Sequence, residues 1–192
     1  MKFLILANFG LGLWKFRKEL IQELVFSGNE VTVSLPYDEY IPRIQEIGCK
    51  YIETKVDRRG KNPLTDLRLF LNYLTIIKSV QPDIVLTYTI KPNVYGGIAC
   101  RLMKTPYLSN ITGLGTAVEN EGLMQKITLG LYKIALKDAK CIFFQNEPNR
   151  QFFNDCGIKI KNSMVIPGSG VNLEQHIYEE YPNLNYSYHP KS

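Results

Sequence analysis

An α/β fold, a three-layer αβα sandwich around a mostly parallel sheet, is predicted for this 192-residue chain by three observations. Short apolar runs recur along it, each bounded by glycine, asparagine, aspartate or proline. Segments with helical spacing of apolar residues separate them. The first run, FLILA at residues 3–7, is apolar without alternation, as in a strand covered on both faces.

The elements follow in order. After strand 3–7, bounded by Asn8 and Gly10, the recurrence of Leu13, Phe16, Leu20 and Leu24 predicts a helix over 13–26, closed by Ser27-Gly28-Asn29. Residues 31–35 give a second strand, 41–47 a short helix closed by Gly48, and Lys50–Glu53 a third strand. Asn62 and Pro63 suit the cap and first position of a long helix. Its apolar face reads Leu67, Phe70, Leu71, Leu74, Ile76 and Ile77, and Gln81-Pro82 stops it. Strand 83–88, helix 93–103, strand 107–111, helix 121–138, strand 141–145, helix 148–156 and strand 163–166 complete the series.

Such alternation specifies βαβ crossovers, a Rossmann-like arrangement with strand order near 3-2-1-4-5-6-7 and right-handed connections. The composition, 45% hydrophobic and 21% charged, excludes disorder and low-complexity repeats and fits one domain. A net charge of +5 is a mild bias toward phosphates or an anionic membrane surface and is too weak to indicate nucleic acid. No apolar run reaches the roughly 18 residues of a membrane span. Cys49, Cys100, Cys141 and Cys156 lie far apart without metal-ligand spacing, so no metal is expected and they read as buried free thiols of a reducing cytosol.

Ligands of open parallel sheets bind beyond the carboxyl ends of the strands, which directs attention to four loops. Gly10-Leu11-Gly12 permits close approach of backbone amides to an anion at a helix start, or is a bare strand-to-helix turn. It is no dinucleotide fingerprint, since Lys15 occupies the third glycine position. Thr112-Gly113-Leu114-Gly115-Thr116 offers hydroxyls and amides, or is a turn that needs two glycines. Gln145, Asn146 and Glu147 bring three polar side chains to one strand exit, with helix capping by Asn146 as the competing role. Lys91, beside Asn93, suits a phosphate or is a surface lysine. His176 and His189 lie off this rim, and neither a nucleophile elbow nor a Walker motif occurs.

Lys126, Lys133, Lys137 and Lys140 fall on one stripe of a 3.6-residue helix that is otherwise largely apolar. Such a helix lies against the sheet with only its lysines in water, or it meets an anionic bilayer. Trp14, Lys15, Arg17 and Lys18, near the rim, are candidates for the same membrane contact.

Taken in order, NPLTDL at 62–67, PDIV at 82–85, TYTIKPNVYGG at 87–97, NITGLG at 110–115, FFQNE at 143–147 and PGSGVNLE at 167–174 resemble the amino-terminal half of family 4 glycosyltransferases. More narrowly, they resemble those that extend undecaprenyl-diphosphate-linked sugars in bacterial capsule, polysaccharide or glycan assembly. The resemblance spans essentially the whole chain. It implies one half of a GT-B fold, in which two Rossmann-like domains face across a cleft, and a retaining transfer without metal or cofactor. A nucleotide-sugar donor, a UDP-sugar, is the implied substrate.

By this resemblance Gly10 and Gly12 lie near the donor phosphates. Lys91, Asn93, Thr112, Gly113, Gly115, Thr116, Gln145, Asn146 and Glu147 line the acceptor side of the cleft. Thr112 stands where many members carry histidine, so no histidine role transfers and no catalytic residue is named. The organisation expected is an acceptor-side domain over 1–172 and an irregular linker or tail over 173–192, with the donor domain absent. The partners expected are that donor-binding domain, a lipid-linked sugar acceptor and an anionic membrane surface, at the inner face of the plasma membrane. The chain alone is expected to be inactive. The alternative is a non-catalytic binding module for a lipid diphosphate or glycan.

Overall fold

The computed structural model of the chain describes residues 1–58, 60, 62–115, 118 and 122–170. Its elements run β1 (Lys2–Leu6), α1 (Gly10–Phe26), β2 (Glu30–Leu35), α2 (Ile41–Glu46), β3 (Lys50–Glu53), α3 (Pro63–Val80) and β4 (Ile84–Tyr88). A π-helical turn (Pro92–Gly96) then leads into α4 (Gly97–Met103), followed by β5 (Tyr107–Ile111), α5 (Leu123–Ala135), β6 (Cys141–Phe144), α6 (Glu147–Asp155) and β7 (Ser163–Val165). The predicted tail over 173–192 and the loop position Thr116 lie outside the described residues.

The seven strands form one sheet in the order β3-β2-β1-β4-β5-β6-β7. Every neighbouring pair is parallel, as expected from the βαβ pattern. Strand order reverses between β1 and β4, paired Phe3 to Ile84 through Leu6 to Thr87, and the crevice at such a reversal is where these folds bind ligands.

Two apolar layers cover the sheet because alternate residues of each strand point to opposite faces. Ile5 and Ala7 of the β1 region pack with Leu13 and Ile21 of α1 and Ile41 and Ile44 of α2. Leu4 and Leu6 pack on the other side with Tyr73 of α3, Cys100 of α4, Tyr132 of α5 and Phe153 of α6. Leu4, Ile5 and Leu6 are all fully buried, which explains their unbroken apolar run.

The structure revises which helix faces are inside. The buried stripe of α1 is Gly10, Leu13, Arg17 and Ile21, whereas Phe16 and Leu20, expected in the core, are 51% and 41% exposed. Both stripes have helical spacing, so only docking against the sheet selects between them. In α3 the buried residues are Leu69, Tyr73, Ile76 and Ile77, while Leu67 and Leu71 stay exposed. Asn62 caps α3 as predicted, accepting from the Leu64 amide at 3.0 Å.

Candidate functional site

A cavity of about 300 Å³ opens at the carboxyl ends of the strands. Ala7, Asn8 and Phe9 after β1, Tyr88 and Thr89 at the end of β4, Thr112 after β5, Gln145 after β6 and Ser169 after β7 converge on it. Gly12, Leu13, Phe16 and Arg17 of α1 form its remaining wall. Three of the predicted rim residues, Gly12, Thr112 and Gln145, are therefore brought together. With its amide oriented to satisfy its neighbours, Gln145 donates to the Thr112 carbonyl at 3.3 Å. Its oxygen then accepts from the Ser169 hydroxyl at 3.1 Å and from Arg17 Nη2 at 3.2 Å.

Among the described residues Arg17 is the sole charged one lining this cavity, which corrects its expected place on a membrane-facing surface. It is only 8% exposed because it sits in the buried stripe of α1. Its guanidinium carbon lies 5.1 Å from the centre of the Tyr88 ring, a cation–π arrangement, and Nη1 donates to the Phe16 carbonyl at 2.6 Å. Burial raises the Tyr88 phenol pKa, and the neighbouring guanidinium opposes that rise. Arg17 Nε, Asn8 Oδ1 and Thr89 Oγ1 are buried without hydrogen-bond partners among the described residues. Thr89 also holds a left-handed backbone conformation, φ 72°, that a β-branched residue rarely adopts.

The amides expected to meet a donor phosphate at Gly10 are engaged within the domain. Asp38 Oδ2 accepts from the Gly10 amide at 2.6 Å and the Leu11 amide at 3.2 Å, so the α1 start already has a carboxylate. A side chain on Gly10 would meet Asp38 Oδ1 at 2.2 Å, which explains the glycine without a ligand. A side chain on Gly12 would meet the Phe9 ring at 2.6 Å, so this glycine admits the ring that walls the cavity.

The other predicted acceptor-side residues separate from the cavity. Lys91 pairs with Asp66 at 2.6 Å and donates to the Gly60 carbonyl at 2.9 Å, with little exposure of either charged group, so its ammonium is committed to tying the 57–62 loop to α3. Asn93 is 1% exposed, accepts from Thr87 Oγ1 at 2.6 Å and donates to the Asn110 carbonyl at 2.9 Å, so it is a core bridge and not a cleft residue. Asn146 caps α6 by accepting from the Asn149 amide at 2.8 Å, and Glu147 pairs with Arg150 at 2.7 Å on the surface. Gly113 is exposed, and Gly115 has a positive φ of 70° beside Ile90.

The proposed membrane residues divide between two surfaces, because α1 and α5 pack on opposite faces of the sheet. Lys15 is exposed, while Trp14 is half-buried with the Lys18 ammonium 5.0 Å and the Arg43 guanidinium 5.8 Å from its ring. Lys126, Lys133, Lys137 and Lys140 are all exposed, but α5 ends at Ala135, so the last two stand beyond the helix. The helix packs inward as expected through Thr128, Tyr132 and Ala135, but Leu123, Met124, Ile127 and Ile134 are exposed beside the lysines, so its outer face is mixed apolar and basic instead of lysines alone. No helix among the described residues is long and apolar enough to cross a membrane, and none of them group into a metal site of three or more ligands.

Sequence reasoning missed Asp38, Tyr88 and Ser169, and misplaced Arg17. One signal was available for Arg17: it falls between Leu13 and Ile21 on a single stripe, and a cation in an apolar stripe marks an unusual buried site. Asp38 carries no such signal, since its partners lie 27 and 28 positions away.

Residues 2–146 match the family model described as glycosyl transferase 4-like. Over 180 residues the chain is 29% identical to the N,N'-diacetylbacillosaminyl-diphospho-undecaprenol alpha-1,3-N-acetylgalactosaminyltransferase of Campylobacter jejuni, with 91% of this chain and 48% of that protein covered. The fold is similar to that of Anabaena Alr3699/HepE, solved in complex with UDP, at a TM-score of 0.65 and 16% identity, covering 91% of this chain and 45% of that one. It is also similar to a glycosyltransferase from Rickettsia africae, at a TM-score of 0.66 and 20% identity, covering 86% and 42%. These likenesses show the fold, a Rossmann-like half of the GT-B architecture. The chain spans about half the length of the relatives it matches.

Proposed function

This chain belongs to the glycosyl transferase 4-like family, and from that premise we propose that it is the amino-terminal, acceptor-side half of a retaining glycosyltransferase. The reaction moves a sugar from a nucleotide-sugar donor, a UDP-sugar, to a lipid-linked acceptor in bacterial polysaccharide or glycan assembly. The observation that carries this reading is the alignment along 91% of the chain with the Campylobacter enzyme, whose name gives its acceptor as a sugar on diphospho-undecaprenol. Residues 1–172 form the acceptor-side domain and 173–192 the linker toward the donor half.

In a transfer of this kind the barrier falls when positive charge meets the departing diphosphate and the acceptor hydroxyl is held in place. The cavity formed by Gly12, Arg17, Thr112 and Gln145 supplies polar groups and one cation to such a cleft. The donor half supplies the remaining diphosphate ligands, so the chain by itself transfers no sugar.

A lipid-linked acceptor brings the enzyme to the inner face of the plasma membrane. The exposed Leu123, Met124, Ile127 and Ile134 with Lys126, Lys133, Lys137 and Lys140 form the surface suited to an anionic bilayer. Co-sedimentation is expected with vesicles containing anionic lipid and to weaken with salt.

The test is a transfer assay with labelled UDP-sugars and a polyprenyl-diphosphate-linked sugar acceptor, run on the chain alone and with a donor-binding half joined or added. Product is expected only in the second case, with the donor's anomeric configuration kept. Turnover by the chain alone above a Thr112→Ala control overturns the half-enzyme reading.

A further inference from the structure

We propose that Arg17 is an anion anchor and that the cavity it lines receives the diphosphate of a substrate. The inference rests on the reading above, in which donor and acceptor each carry that group.

A guanidinium cannot be neutralised by losing its proton, so burying it without a carboxylate is strongly unfavourable. Among the described residues no carboxylate forms an ion pair with Arg17. Its neighbours are neutral: the Phe16 carbonyl, the Gln145 amide and the Tyr88 ring. Its Nε–H remains without an acceptor although the atom is buried.

The direction of the side chain is equally informative. It does not reach past the helix into bulk water, as arginines on amphipathic helices usually do. It lies in the wall of a cavity where, among the described residues, no other lining side chain is charged. The guanidinium carbon lies 5.1 Å from the centre of the Tyr88 ring, and Nη1 and Nη2 donate to the Phe16 carbonyl and to Gln145, which orients the group before any ligand arrives.

The size also fits. About 300 Å³ exceeds what an isolated phosphate needs and admits a diphosphate with the start of whatever it is attached to. Hydroxyls of Thr89 and Ser169 and the amide of Asn8 line the same space as supporting hydrogen-bonding groups. Thr89 Oγ1 has no partner among the described residues, and the strained backbone at this residue holds it beside the cavity. Gly12 and Phe9 close the opposite wall.

A purely structural Arg17 and an anion-binding Arg17 differ in what its removal does. If the side chain only braces Tyr88 and Gln145, Arg17→Met lowers thermal stability and leaves anion binding as it was. If it is held for a ligand, the unbranched apolar side chain leaves the unliganded fold as stable or more stable and removes the response to the anion.

The experiment titrates inorganic pyrophosphate into the 192-residue chain by calorimetry and thermal denaturation, with Arg17→Met, Arg17→Lys and, as a charge-matched control, the exposed Lys78→Met. Pyrophosphate is expected to bind the parent chain and raise its melting temperature. Arg17→Met should weaken binding at least tenfold, Lys78→Met by less than twofold, and Arg17→Lys by an intermediate amount, keeping the charge without the planar fork. If Arg17→Met does not fold, Arg17→Lys carries the comparison. Absence of binding to the parent chain, or binding that changes less than twofold in the folded Arg17 variants, overturns the proposal.

Two further arms identify the source of the diphosphate: UDP against uridine, and farnesyl diphosphate against farnesol. A gain from the diphosphate that disappears in the Arg17 variant assigns the site to the nucleotide or to the polyprenyl substrate. A gain in neither arm overturns the proposal. Sugar transfer is scored separately with the donor half supplied, so failure of transfer with Arg17-dependent diphosphate binding intact defeats the functional reading alone.

Discussion

The carboxylate of Asp38 rests on the amide of Gly10 at 2.6 Å, joining the loop after β2 to the first turn of α1 across 28 positions of sequence. Phe9, the residue before the helix, offers no side-chain cap, so the aspartate serves in its place. The same carboxylate accepts from the Tyr40 amide at 3.1 Å, which fixes the loop as well as the helix.

Asp38→Ala is therefore expected to destabilise the fold by about 1–2 kcal/mol, the range of a lost N-cap with charge-assisted bonds. Chemical denaturation of the two proteins measures it. Gly10→Ala should be at least as damaging, because its methyl group would collide with Asp38 Oδ1.

Asp66 accepts from Lys91 at 2.6 Å and from the Tyr95 hydroxyl at 2.8 Å in a poorly exposed cluster. Removing one ion of such a pair strands the other, and Lys91→Met is expected to cost about 3 kcal/mol. Lys91→Met/Asp66→Leu should lie closer to the parent than either single variant, because no charge is then left unpaired. A double-mutant cycle in urea checks this, and additive losses would reject it.

Asn93→Leu removes an amide that links Thr87 to the Asn110 carbonyl inside the core. A loss of about 2–3 kcal/mol is expected from the two stranded partners. Thr112→Ala, at an exposed position, should stay within about 0.5 kcal/mol. Equal stability of the two variants would return Asn93 to the surface role its sequence position had implied.

Burial pushes the Cys49 thiol up from an ordinary 9.0 to about 11 and the Cys100 thiol to about 12. The folded state holds both protons longer than the unfolded chain, so their contribution is complete below pH 9 and is lost as pH rises toward those values. Alkylation by iodoacetamide at mildly alkaline pH should modify Cys141 and Cys156, which are partly exposed, well before the buried Cys49 and Cys100. Simultaneous modification of all four in native conditions would contradict the placement.

The sequence by itself determined the architecture and much of the strand order. Apolar runs such as residues 3–7 and the caps at Asn62 and Gly28 are local signals, each written within a few residues of the element it shapes. The rim was legible too, since parallel βαβ units put every strand exit at one end, and Thr112 and Gln145 do meet there. Tertiary structure alone decided which side of α1 faces the sheet, and with it whether Arg17 lies in water or in the cavity wall. Stripes 13-16-20-24 and 10-13-17-21 both satisfy a period of 3.6, and the first, wholly apolar, is the one that local sequence favours although docking buries the second. Asp38 on Gly10, Lys91 on Asp66 and Asn93 beneath Asn110 are likewise settled by contacts between distant segments, where one side chain claims a donor that local sequence leaves open to a ligand.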